Sequence, residues 1–68
     1  MPLKPKVRKI GQRVIVPKQT KAANGLVIPA GTRTAIEGLS IDQNNRVHYK
    51  IVVNRKYVWV VAADLKTA

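Results

Sequence analysis

Apolar and polar side chains alternate along much of this chain with a period of two. From Arg46 to Val53, the side chains of Arg46, His48 and Lys50 interleave with Val47, Tyr49, Ile51 and Val53. That spacing predicts a β-strand with a basic row on one face and a core row on the other. Arg13-Val14-Ile15-Val16 is β-branched and stops at Pro17, which has no N–H to offer a central ladder. Thr32 to Ile41 reads as a second strand, with Gly38 as the place for a bulge. Asp42-Gln43-Asn44-Asn45 turns the chain into the Arg46–Val53 strand, and Asn54-Arg55-Lys56 reverses it into a fourth strand, Tyr57 to Val61. Between Lys18 and Gly31, the turn signals Asn24-Gly25 and Pro29-Ala30-Gly31 bracket Leu26-Val27-Ile28, a long excursion with room for a bent hairpin. Ala62-Ala63-Asp64-Leu65 reads as one short helical turn. Helical periodicity and internal repeats are absent. The expected fold class is all-β, with four to five short antiparallel strands over residues 11–68 behind a basic extended arm over residues 1–10.

The run Tyr57-Val58-Trp59-Val60-Val61-Ala62-Ala63 breaks the alternation, because all seven positions are apolar. A strand with no polar face must be covered on both sides. A partner, self-association or a tightly closed barrel would each supply the cover.

Two registers compete for the hairpin that carries this run. A two-residue turn, Asn54-Arg55, places Lys50 opposite Trp59 and Val52 opposite Tyr57, so both rings join the basic face. A three-residue turn, Asn54-Arg55-Lys56, pairs Ile51 with Trp59 and sends all three aromatic side chains inward. The chain has no Phe, and burial favours the second arrangement. Either register leaves apolar side chains outside on the fourth strand, drawn from Tyr57, Val58, Trp59, Val60 and Val61. Such a patch marks an interface, and Tyr57, Val58, Val60 and Val61 are its candidate residues, with a homo-oligomer, most simply a two-fold dimer, as the expected assembly.

Charge adds a second expectation. Thirteen Lys and Arg against three acids give a formal net charge of +10. A balance of that kind attracts polyanions, nucleic acid first among them. The positive side chains are expected along one flank of the domain. Within the arm, Lys4, Lys6, Arg8 and Lys9 sit among prolines with little to bury, a composition suited to following a phosphate backbone and equally to a solvated terminus.

Other chemistries find little support. The chain has no cysteine, which removes disulfides and thiolate ligation. His48 is the only histidine and has no acid beside it in sequence. Glu37, Asp42 and Asp64 are widely spaced, and no metal-ligand spacing, nucleophile elbow or phosphate-cradling glycine loop occurs. The expectation is a non-enzyme with no catalytic residue, no metal and no cofactor. The basic start lacks the apolar segment of a signal peptide, and no stretch approaches membrane-spanning length, so a cytoplasmic protein without a membrane partner is expected.

From Gly11 to Leu65 the order of elements resembles the small SH3-like β-barrels, which include KOW-type and Tudor-type modules. The phrases that carry it are Gly11-Gln12-Arg13-Val14-Ile15-Val16, Ile28-Pro29-Ala30-Gly31-Thr32 and Val58-Trp59-Val60-Val61-Ala62-Ala63-Asp64-Leu65. Departures narrow what the resemblance implies. The loop Pro17 to Gly31 holds no acid or aromatic, unlike the proline-peptide-binding SH3 domains. Tyr49, Tyr57 and Trp59 are too few, and too far from an acid, for a Tudor-type methyl-cation cage. The Gln-Ile-Tyr core of the plasmid-borne SH3-like dihydrofolate reductases is missing. A KOW-like or chromatin-protein-like binder of DNA or RNA fits best, with Lys4, Lys6, Arg8, Lys9, Arg46, His48, Lys50, Arg55, Lys56 and Trp59 as its contact residues. A protein-interaction module using the apolar fourth strand, such as a phage or mobile-element accessory, is the alternative.

Overall fold

The structure is a computed structural model that describes residues 7–68. Seven strands follow one another: β1 (Arg13–Val16), β2 (Thr20–Lys21), β3 (Val27–Ile28), β4 (Thr32–Ile41), β5 (Val47–Val53), β6 (Lys56–Val61) and β7 (Lys66–Thr67). A single 3₁₀ turn, Ala62–Asp64, separates the last two. The fold is all-β and antiparallel. Its main sheet has the order β6-β5-β4-β1-β7, and β2-β3 form a separate two-stranded ribbon. The barrel is not closed, since β6 and β7 end the sheet without pairing with each other.

Alternation decides what each strand buries. Val14 and Val16 of β1, Ile36 of β4, Val47, Tyr49, Ile51 and Val53 of β5, and Val58 and Val60 of β6 form the core with Ala22, Ile28 and Leu65. The ribbon thus contributes one side chain from its loop and one from β3. It is also stitched to the edge of the sheet, because the Ala23 N–H donates to the Trp59 carbonyl at 3.0 Å. The apolar run at residues 57–63 is covered on one face only: Val58 and Val60 pack on the core, Tyr57, Trp59 and Val61 face outward, and Ala62 and Ala63 leave in the 3₁₀ turn.

β4 is long enough to serve two neighbourhoods. Its first half pairs with β1 and its second half with β5. The register shifts between Ile36 and Gly38, where Glu37 is the extra residue of a bulge. The bulge changes which residues face out, from Arg33 and Ala35 before it to Gly38 and Ser40 after it.

The hairpin between β5 and β6 corrects the sequence expectation. Asn54 and Arg55 both have positive φ, 52° and 65°, the backbone of a two-residue type I′ turn. Lys50 therefore pairs with Trp59 and Val52 with Tyr57. Burial pressure favours the other register only if the core needs three rings, and it does not. Tyr49 alone, 1% exposed, fills the centre, and the β-branched Val58 and Val60 pack beside it.

Candidate nucleic-acid interface

Three outward residues of β5 and three of β6 make one surface. His48, Lys50 and Val52 stand directly opposite Val61, Trp59 and Tyr57. Tyr57 is 63% exposed and Trp59 36% exposed, so one ring is open to solvent and the other half-covered. The Lys50 ammonium lies 5.2 Å from the Tyr57 ring centroid and 6.0 Å from that of Trp59. Both distances are within reach of a cation–π attraction.

Gly38 explains how the lysine reaches that position. It pairs with Lys50 across β4–β5, and a Cβ placed on it would meet the Lys50 Cε at 3.0 Å and Cβ at 3.2 Å. The missing side chain leaves a floor on which the lysine stem lies, and the stem is directed toward the rings rather than away from the sheet.

His48 sits beside this group and is oriented by an acid, contrary to the expectation from the sequence. Its Nε2 is 3.0 Å from Asp42 Oδ2. The two are six residues apart, and the turn folds one back on the other. The other carboxylate oxygen, Oδ1, accepts the N–H groups of Asn44 at 2.8 Å and Arg46 at 2.9 Å. The hydrogen bond from His48 and the Arg46 N–H hold the Asp42 carboxyl below its ordinary range, with a smaller contribution from the Asn44 N–H. Ser40 is the cross-strand neighbour of His48. A hydroxyl, an imidazole and a carboxylate therefore share this corner, but among the described residues no hydrogen bond joins Ser40 to His48.

The remaining expected contact residues divide. Arg46 lies in the turn before β5 and is exposed, as are Arg55 in the hairpin turn and Lys56 at the start of β6. Lys4 and Lys6 fall outside the described residues. Lys9 is exposed, whereas Arg8 is not part of a free arm. Its N–H donates to the Tyr49 hydroxyl at 2.6 Å, and its guanidinium donates to the Thr67 hydroxyl and the Leu65 carbonyl. The partly buried Arg8 thereby satisfies the one polar atom of the buried tyrosine. Of the expected interface residues, Tyr57 and Val61 are exposed, but Val58 and Val60 are 1% and 3% exposed and belong to the core. The two-residue turn is the reason, since it points them inward.

Among the described residues, the cations on the outward face of the main sheet form two groups rather than one flank, and the exposed Lys9, Lys18 and Lys21 lie on neither group's strands. Beside the β5–β6 group, Arg13, Arg33 and Lys66 stand outward on β1, β4 and β7. Along β4 the two groups are separated by Ala35, Gly38 and Ser40, with Glu37 between them at the bulge. The second group is invisible to sequence reasoning because its members are dispersed along the chain. Only the pairing of β7 with β1, which depends on a two-residue strand, brings Lys66 to it.

Among the described residues no cluster of acids and histidine is suited to a metal ion, and no helix is long and apolar enough to cross a membrane. Comparison of the chain with protein-family models, curated proteins and solved structures returns no match.

Proposed function

We propose that the outward face of β5–β6 binds single-stranded nucleic acid without sequence specificity. The observation that carries this reading is Lys50 held against two exposed rings, Tyr57 and Trp59, on an otherwise regular strand pair. Every base has a π-face, so exposed rings accept any of them, while adjacent cations follow the phosphates. Arg46, Lys50, Arg55 and Lys56 are the phosphate contacts in this reading, with His48 beside them and Lys4, Lys6 and Lys9 adding charge. The stacking surface favours an unpaired strand, because bases within a duplex offer no free face.

A titration that follows Trp59 emission tests it. Oligothymidylate or oligouridylate should quench the single indole, and duplex DNA should do so weakly. With about four phosphate contacts, affinity for the single strand should fall roughly 50-fold over a fourfold rise in salt. Unchanged emission with every nucleic acid would remove the proposal.

A protein partner is the second reading, and the row Tyr57, Trp59 and Val61 on an edge strand favours it. A complex that is indifferent to salt and lost on Val61→Lys would decide for it. Val60 is unsuited to that test, because a lysine there would disrupt the core.

A further inference from the structure

Ile15 is half-buried on the outward face of β1, and its two cross-strand partners are both cations: Arg33 on β4 and Lys66 on β7. Arg13 lies two residues earlier on the same face of β1 and is diagonal to Arg33. Three exposed cations therefore surround one aliphatic side chain. Neither Glu37 nor Asp64, the acids nearest them in sequence, pairs with any of them, since among the described residues the one contact between an acidic and a basic side chain is that of Asp42 with His48.

Such an arrangement is unfavourable by itself. Directly opposed strands place Cβ atoms about 5 Å apart and diagonal neighbours about 7–8 Å apart. Arg33 and Lys66 flank Ile15 from opposite sides and Arg13 is diagonal to both, so the three cations are neighbours that repel one another most at low ionic strength, where the Debye length reaches about 30 Å. A small domain with little stability to spare keeps like charges together at a cost that a bound anion would remove.

The surface there is concave. A cleft of about 390 Å³ is lined by Arg13 and Arg33 together with Gly11, Thr34 and Ala35. Gly11 has a positive φ of 91° and leaves open space where a side chain would stand. Val14 and Ala68 complete a lining that sets two arginines among small residues.

We propose that this cleft is an oxyanion site for phosphate groups, formed by Arg13 and Arg33, with Lys66 on the neighbouring strand adding charge. Guanidinium groups bind phosphate oxygens in pairs, and three cations match a multiply charged group better than a single carboxylate. The ligand is a phosphate carried by a small molecule or the phosphodiester of a nucleic acid, and the chemistry of capture is the same. The site lies on different strand pairs from the Tyr57–Trp59 surface and does not depend on the reading given to that surface.

The experiment is an amide NMR titration of the full chain at constant ionic strength, with pyrophosphate in one arm and short oligothymidylate in the other. Saturable shifts at Arg13, Ile15, Arg33 and Lys66 with pyrophosphate are expected, and Arg13→Gln/Arg33→Gln should weaken them about tenfold or more. Shifts at those amides with the oligonucleotide alone support the site and identify its ligand as phosphodiester. The Trp59 indole signal is recorded in the same spectra and reports on the other surface independently. Shifts that do not saturate in either arm, or an affinity unchanged in the double variant, would overturn the proposal. If the double variant does not fold, Lys66→Gln is read in its place, with a several-fold loss expected and an unchanged affinity counting against the site.

Discussion

Lys50 and Trp59 stand opposite one another across the β5–β6 ladder, and the lysine ammonium is 6.0 Å from the indole centroid. The pairing depends on a turn of two residues. One residue more would have put the indole in the core and left the lysine facing aliphatic side chains. The turn therefore determines whether this surface has rings at all.

Trp59 and Tyr49 should consequently respond in opposite ways to truncation. Trp59→Ala is expected to cost about 1 kcal/mol of stability, the scale of a cross-strand pair. Its affinity for single-stranded nucleic acid should fall about 5- to 150-fold, the range for losing one stacked base. Tyr49→Ala empties the centre of the core and also removes the acceptor of the Arg8 N–H. A loss of about 3–5 kcal/mol is expected, enough to leave much of so small a domain unfolded. Urea unfolding of both variants checks the pair of predictions, and equal losses of stability would be inconsistent with the register.

Arg55 has a side chain where the turn asks for glycine. Its φ of 65° lies in the left-handed region, which costs a non-glycine residue about 1 kcal/mol. Arg55→Gly should raise stability by about that amount and the melting temperature by about 4–8 °C. If Arg55 also contacts a phosphate, the same variant should reduce the slope of log affinity against log salt by about 0.7. Calorimetry and a salt series separate the two effects within one protein.

Asp42 links the β4–β5 turn to His48, and its carboxyl is held below the ordinary value of 3.8 by the hydrogen bond from His48 and by the N–H groups of Arg46 and Asn44. A lowered folded-state value means that the native state favours the ionised form. That stabilisation is complete above the unfolded value and is lost as pH falls through the lower folded one. Asp42→Ala should therefore melt below the parent at neutral pH, and the two should converge well below pH 3.8. A difference that persists undiminished in acid would mean that the charge of Asp42 contributes nothing.

Much of the architecture is legible in the amino-acid order because alternation is a strong signal where one face is polar. The Thr32–Ile41 strand, its bulge beside Gly38 and the 42–45 turn follow from it. The fourth strand was not legible in the same way, since a row of apolar residues has no polar mark to distinguish in from out. Backbone conformation at Asn54 and Arg55 decided it, and no composition rule reports φ. The 66–67 strand exists only by pairing with β1, so its own two residues carry no signal. The basic and aromatic face was visible as a candidate, whereas the contact of Asp42 with His48 and the grouping of Arg13, Arg33 and Lys66 arise from the path of the chain.

Glu37 has a further consequence. As the supernumerary residue of β4, it has no partner on β5, and the strand bends around it. Exchanging it for another amino acid would alter one exposed side chain, and excising it would leave Ile36 opposite Ile51, Gly38 opposite Lys50 and Leu39 opposite Tyr49 while removing the bend between them. Residue 37 thus tunes the curvature of the sheet and not the choice of which side chains meet the core, and a variant lacking it should keep the same partners on β5 in a straighter strand.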